Sequence, residues 1–86
     1  MTIQYSKDSL KFLAKADKST VDRIREAIHG LTLSPPSGDI KRLQGYSEDY
    51  KRLRVGKYRV IFMYSLDGAV EILYIIDIGS RGDIYK

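Results

Sequence analysis

The sequence predicts an α+β fold, in which a small antiparallel sheet carries two N-terminal helices on one face. Two segments in the first third of the chain place apolar residues three and four positions apart, as amphipathic helices do. The second half holds three strand-like runs separated by Gly56-Lys57 and Asp67-Gly68, and such pairs favour tight hairpin turns. One face of the resulting three-stranded meander is apolar enough to receive the helices.

Length and composition indicate one small domain spanning residues 1–86. With 43% hydrophobic residues the chain can bury one core, but it is too short for a buried cofactor pocket with a lid. The absence of cysteine excludes a disulfide framework and a thiolate metal site, and the single histidine argues against a His-rich one. We therefore expect no metal and no cofactor.

Charge and hydropathy suggest where the protein acts. The net charge of +4 favours a polyanionic partner, although weakly, because many basic domains bind none. The N-terminus carries Lys7, Asp8 and Lys11 and no apolar stretch of signal-peptide length, and no run approaches the ~18 apolar residues of a membrane helix. We expect a cytoplasmic protein without membrane contact.

The N-terminal half is predicted to form a strand and a helical hairpin. Thr2–Tyr5 is typical of a short strand, and Ser6 is a suitable N-cap for a first helix of about ten residues. Ser19 or Thr20 is expected to cap the second helix, which should end before the two prolines of the loop at 34–39. The apolar positions are Leu10, Phe12, Leu13 and Ala16 in the first helix and Val21, Ile24, Ile28 and Leu31 in the second.

The strands of the meander are expected at roughly 50–55, 58–66 and 70–78. Taking Asp67-Gly68 as the second loop pairs Leu66 with Ala69 and places Arg59 opposite Ile76. With this register, the helices cover a face that contains Val60, Phe62, Tyr64, Leu73 and Ile75, whereas Ile72, Tyr74, Ile76 and Ile78 continue the opposite face.

The first hairpin gathers cationic side chains on that opposite face. A two-residue Gly56-Lys57 loop pairs Val55 with Tyr58, Arg54 with Arg59 and Arg52 with Ile61. Arg52, Arg54 and Arg59 then share one face, although like charges directly opposite each other destabilise a sheet. The pattern therefore indicates an anionic partner between them, and a phosphate backbone is the obvious candidate.

The C-terminal segment adds two further candidates. Arg81 leaves the last strand at the edge of the same sheet, and the glycines on either side of it permit a sharp turn. A final helical turn can bring Tyr85 back toward Arg81. A phenol beside guanidinium groups can stack on a base, donate a hydrogen bond or exchange a proton.

The motifs resemble the RelE branch of the RelE/ParE toxin superfamily along nearly the whole chain. The resemblance is carried by Leu43-Gln44-Gly45, by the segment Tyr50 to Phe62 and by the segment Ile78 to Tyr85. It implies a toxin of a type II toxin-antitoxin pair that enters the ribosomal A site and cleaves messenger RNA. It also implies that a tightly wrapped antitoxin silences the toxin.

The resemblance also assigns roles to individual residues. Arg59 and Arg81 match the phosphate-stabilising catalytic arginines, Arg52 matches a basic catalytic position, and Tyr85 matches a stacking and orienting tyrosine. Lys51, Arg54 and Lys57 would support RNA binding. Many relatives carry histidine where this chain has Ser80, so another group must transfer the proton or the activity is weak.

The implied reaction needs no metal ion. The ribose 2′-hydroxyl attacks the adjacent phosphorus, giving a cyclic phosphate and a free 5′-hydroxyl, and guanidinium groups offset the charge on the phosphoryl oxygens. Arginine suits this role but is a poor general base, because its pKa lies above about 12. The proton carriers stay open between Lys51, Lys57, Tyr85, Glu48, Asp49 and a ribosomal group.

Two other functions are compatible with the same fold. The ParE branch inhibits DNA gyrase by binding it and lacks nucleolytic residues, which the cluster of Arg52, Arg59, Arg81 and Tyr85 argues against. A catalytically weakened toxin that acts mainly in its antitoxin complex is suggested by Ser80.

Overall fold

The computed structural model describes residues 1–46 and 49–80 and confirms the α+β class. The chain forms, in order, β1 (Thr2–Tyr5), α1 (Lys7–Lys15), α2 (Lys18–Gly30), β2 (Asp39–Arg42), β3 (Lys51–Val55), β4 (Tyr58–Asp67) and β5 (Val70–Ser80). The strands join in one sheet in the order β1-β5-β4-β3-β2. In the described part of the chain, no helix is both long and apolar enough to cross a membrane.

The sheet differs from the expected one in two details. β1 runs parallel to β5, whereas the other pairs are antiparallel, so the sheet is mixed. The two helices provide the long crossover that a parallel pair requires. A fifth strand, β2, lies at the edge beside β3; only Ile40 in it is withdrawn from solvent, so the segment carries little hydrophobic signal.

Polar side chains begin both helices. Ser6 caps α1 as predicted and accepts a hydrogen bond from Ser9 N at 3.0 Å. The expected cap of α2 at Ser19 or Thr20 is wrong, because Asp17 occupies that position and accepts from Thr20 N at 3.2 Å. Hydrogen bonds from the side chain and the backbone of Thr20 hold the pKa of Asp17 below its usual value, and the backbone one satisfies an amide at the free end of the helix.

The predicted register between β4 and β5 is also wrong. The loop consists of Gly68-Ala69, so Leu66 pairs with Glu71 instead of Ala69. Gly68 has a φ of +64°, and no residue other than glycine has a positive φ in the described part of the chain. A type II′ turn needs a positive φ only at its first central residue, whereas a type I′ turn centred on Asp67-Gly68 would need one at Asp67 as well.

A β-bulge farther from this turn changes the register of β4 and β5 a second time. Phe62 pairs with Ile75 and Ile61 with Asp77, which leaves Ile76 between the two pairs without a partner residue on β4. Because one strand has an extra residue here, the side chains of β5 beyond the bulge point to the opposite faces of the sheet from those expected.

The bulge changes which side chains share a face. Arg59 lies opposite Gly79 and not opposite Ile76, and Ile78 packs in the core instead of extending the basic face. Ser6 Oγ donates to the carbonyl oxygen of Ile76 at 2.7 Å, so the first helix satisfies a backbone group that the sheet does not.

The core lies between the helices and one sheet face. Fully buried Ile24, Ile28 and Leu31 of the second helical segment meet Leu53, Val60, Phe62, Leu73 and Ile75 of the sheet. This packing confirms that the helical hairpin covers one face of the sheet and not the other.

Candidate nucleic-acid interface

The β3–β4 hairpin places three arginines on the sheet face opposite the helices. Gly56 has a φ of +59°, as the first central residue of a type II′ turn requires. The observed pairs are Val55 with Tyr58, Arg54 with Arg59 and Arg52 with Ile61, so the predicted register is confirmed. We call Arg52, Arg54 and Arg59 the arginine face.

The like charges in this face are close together. Arg54 and Arg59 are directly opposite, and such residues have Cα atoms about 4.5–5.5 Å apart. Arg52 precedes Arg54 by two positions, so its side chain projects from the same side of the strand. The face therefore concentrates positive charge on rigid strands.

The three arginines differ in exposure, and Arg52 is the unusual one. Its residue exposure is 6%, whereas the Arg54 side chain is 39% exposed. The Nη1 group of Arg52 is buried and finds no hydrogen-bond acceptor among the residues that the structure describes. A buried donor without an acceptor is costly, so this group is one that an anionic ligand can satisfy.

The edge strand β2 brings an acidic residue into the same face. Asp39 pairs with Arg54 across β2 and β3, and Lys41 pairs with Arg52. The carboxylate of Asp39 lies 3.8 Å from Arg52 Nη2 and 3.8 Å from Arg54 Nε. Asp39 was not predicted from the sequence, because β2 was not expected; the alternation of Ile40 between polar neighbours was the available signal.

The neighbouring β5 strand supplies a second carboxylate. Asp77 pairs with Ile61, which pairs with Arg52, so Asp77 lies on the arginine face two strands away from Arg52. One of its oxygens accepts a hydrogen bond from Ile78 N at 2.9 Å. This placement follows from the bulge and was not expected from the sequence.

Neither of the two predicted RNA-binding lysines lies in the arginine face. Lys51 projects from the opposite side of β3, where its Nζ lies 2.9 Å from Asp49 Oδ2 and 5.8 Å from the Tyr64 ring centroid. Lys57 occupies the turn, with its Nζ 5.5 Å from the centroid of the Tyr58 ring. Of the three residues predicted to support binding, the structure therefore groups only Arg54 with the catalytic candidates.

Two of the proton carriers proposed from the sequence, Lys51 and Asp49, form an ion pair with each other. The hydrogen bond from Lys51 holds the pKa of Asp49 below its usual value, which makes this carboxylate a weaker base. Arg81, Tyr85 and Glu48 lie outside the described residues. Within residues 1–46 and 49–80, no three His, Cys, Asp or Glu side chains are grouped as metal ligands.

The chain is similar to known toxins over nearly its whole length. Residues 3–85 match the sequence model of a family described as the ParE toxin of the type II toxin-antitoxin system parDE. A curated relative, the putative toxin RelE1 of Methanocaldococcus jannaschii, is 34% identical over 87 residues, which cover 98% of this chain and 93% of the relative.

Solved structures of such toxins have the same fold. The YoeB/ParE toxin from Agrobacterium tumefaciens superimposes with a TM-score of 0.78 at 21% identity, covering 94% of this chain and 99% of the other. The archaeal RelE-RelB complex from Pyrococcus horikoshii OT3 gives a TM-score of 0.72 at 28% identity, covering 95% of this chain and 96% of the matched chain.

Proposed function

Since this chain belongs to the ParE toxin family of type II toxin-antitoxin systems, we propose that it is an endoribonuclease that cleaves messenger RNA in the ribosomal A site without a metal ion. The RelE/ParE superfamily predicted from the motifs is confirmed by the family match and by the RelE1 relative. Cleavage of messenger RNA is the activity that the RelE resemblance implies.

The observation that carries this proposal is the arginine face. Arg52, Arg54 and Arg59 lie on one side of two paired strands, away from the helices. Guanidinium groups hold their charge at any physiological pH and present N–H pairs that match two phosphate oxygens. A nuclease that relies on electrostatic stabilisation alone needs such a rigid set of donors.

In the proposed reaction the ribose 2′-hydroxyl loses its proton and its oxygen bonds to the adjacent phosphorus. The bond from phosphorus to the 5′-oxygen breaks, and that oxygen takes a proton as it leaves. The products are a 2′,3′-cyclic phosphate and a 5′-hydroxyl, so water is not consumed. Arg59 and Arg52 offset the charge that grows on the phosphoryl oxygens, and Arg54 supports binding of the phosphate beside Arg52.

The proposed proton carriers lie toward the C-terminus or on the ribosome. Asp49 is a poor choice because its lowered pKa reduces its basicity, and Lys51 is engaged with it on the helical side of the sheet. We assign the phosphate-stabilising role to Arg81 and the stacking and orienting role to Tyr85, as the sequence motif implies. Tyr85 or a ribosomal group then transfers the proton.

The proposed partner is a small antitoxin. Relatives of this chain were solved in complexes with RelB, from Pyrococcus horikoshii and Methanococcus jannaschii. We expect the cognate antitoxin to place acidic side chains over the arginine face and to block phosphate binding there, because opposite charges favour that contact.

Ribosome cleavage with matched variants tests the function. Wild type, Arg59→Ala and Arg81→Ala are incubated with translating ribosomes, and cuts at A-site codons are mapped. Removing one transition-state donor typically lowers the rate about 10²- to 10³-fold, whereas Arg25→Ala on the exposed side of α2 removes the same charge and should cleave normally. Intact message with wild type, or full activity of Arg59→Ala, would overturn the proposal.

A second function, inhibition of DNA gyrase, is favoured by the similarity to ParE toxins. The matched family is that of the ParE toxin, and the Agrobacterium protein of the same fold is a YoeB/ParE toxin. If the chain inhibits DNA gyrase, the same preparations leave message intact and accumulate gyrase-cleaved DNA. A weakened toxin, as Ser80 suggests, would give neither growth arrest nor cleavage while still binding its antitoxin.

A further inference from the structure

One carboxylate bridges two members of the arginine face. Asp39 directs Oδ1 toward Arg52 Nη2 and Oδ2 toward Arg54 Nε, each at 3.8 Å. A bound phosphate would present two oxygens to the same two guanidiniums. Asp39 therefore lies where an anionic ligand of these arginines would place its charge.

Both contacts are ion pairs and not hydrogen bonds. A separation of 3.8 Å exceeds the usual N–H···O distance of about 2.7–3.2 Å, so neither guanidinium N–H is spent on Asp39. The buried Nη1 of Arg52 likewise has no acceptor in the described part of the chain. The guanidinium N–H groups that a phosphate would bind therefore lie near the Asp39 carboxylate but are not hydrogen-bonded to it.

Asp39 can also be displaced at little cost. Its side chain is 58% exposed and lies on an edge strand, so water can solvate the carboxylate when another anion approaches. The pair with Arg54 is exposed on both sides, and such pairs contribute little to stability, so a purely structural role is a weak explanation for this contact.

We propose that Asp39 is an internal competitor for the phosphate-binding position between Arg52 and Arg54. In the free protein its charge holds both guanidiniums in place and neutralises part of the face. An RNA phosphate displaces it by offering full hydrogen bonds to the same donors. The inference rests on the proposed function, because a competitor matters only where these arginines receive a phosphate.

The first test measures anion binding without any nuclease assay. Inorganic phosphate is titrated into wild type, Asp39→Asn and Asp22→Asn while the arginine Nε–H signals are followed by NMR. Asp22 is a matched control, because its side chain is 63% exposed on α2 and its one ion pair within residues 1–46 and 49–80 is with Lys18, at 3.5 Å. Both substitutions raise the net charge by the same amount.

Asp39→Asn should bind phosphate about 3- to 10-fold more tightly, because a like charge within a few ångströms of the ligand is removed. Asp22→Asn should change the affinity less than twofold, and Asp39→Glu should restore wild-type behaviour because it keeps the competing charge. Equal affinities for Asp39→Asn and Asp22→Asn, or weaker binding by Asp39→Asn, would refute the inference.

A second measurement extends the test to RNA. With a 2′-O-methyl oligonucleotide, which cannot be cleaved, Asp39→Asn should bind more tightly than wild type, while the slope of log affinity against log salt stays the same, because the phosphate reaches both arginines in either complex. A slope steeper by about 0.7, the value for one more phosphate contact on a single strand, would show that RNA does not displace Asp39 in wild type and would contradict the inference. The wild-type ribosome assay fails separately if the proposed function is wrong, so the two failures are distinguishable.

Discussion

Replacing Arg52 by methionine should separate stability from activity. The side chain is almost fully buried, with 6% of the residue exposed, and its Nη1 lacks an acceptor among the described residues. Methionine keeps an unbranched apolar stem of similar length and removes the buried charge. We therefore expect a protein that is at least as stable as wild type but does not cleave.

The magnitude follows from two opposing changes. Removing the unsatisfied buried donor recovers about 1–3 kcal/mol, whereas losing the ion pair with the exposed Asp39 costs about 0.2–1 kcal/mol. The net gain should be about 1 kcal/mol, which in a domain of this size raises the melting temperature by about 4–8 °C. The Asp39 carboxylate keeps its contact with Arg54 and its exposure to water, so it does not become an unpaired buried charge.

Circular-dichroism melts and the ribosome assay measure the two effects. Arg54→Met is the matched control, because its side chain is 39% exposed and its removal recovers no buried charge. It should leave the melting temperature nearly unchanged and weaken RNA binding. A melting temperature of Arg52→Met several degrees below wild type, or normal cleavage by this variant, would refute the reasoning.

Two further predictions concern the two hairpin turns and the partly buried hydrogen bond of Tyr64. Gly56→Ala and Gly68→Ala should each cost about 1–2 kcal/mol of unfolding free energy, because φ is +59° and +64° there; only Gly56→Ala should also impair cleavage, since it alone disturbs the arginine hairpin. Denaturant melts and the cleavage assay check this, and equal activity losses would contradict it. Tyr64→Phe removes the hydrogen bond that the phenol donates to the Leu31 carbonyl at 2.7 Å and should cost about 0.5–1.5 kcal/mol at pH 7. Burial, with a smaller effect of Glu71, raises the pKa of Tyr64 above its usual value of 10.0, so the unfolded chain ionises first and wild type loses stability as the pH rises above that value. Melts between pH 8 and pH 11 should show a smaller loss for Tyr64→Phe, and parallel curves would contradict this assignment.

The β3–β4 hairpin could be predicted in full because its register depends on neighbouring residues. Gly56 supplies the only positive φ that a two-residue turn of this type needs. The alternation of Arg52 and Arg54 with buried Leu53 and Val55 then determines which side faces the core. The arginine face could therefore be predicted from a segment of ten residues.

The remaining errors come from interactions between distant parts of the chain. The bulge at Ile76 is stabilised by a hydrogen bond from Ser6, and no local pattern around residue 76 reveals it. β2 gains its partner only when β3 lies beside it, so Asp39 was missed. The roles of Arg81 and Tyr85 stay predictions from the sequence motif.

The parallel pairing of β1 with β5 has a consequence for how the protein is made. Thr2 meets Ile72, and Tyr5 meets Ile75, so β1 leaves the ribosome well before its partner β5 has been synthesised. Contacts between such distant residues form after local helices and hairpins. A chain with the proposed activity would complete its sheet only after β5 has been synthesised, and the ribosome that translates it is spared until then.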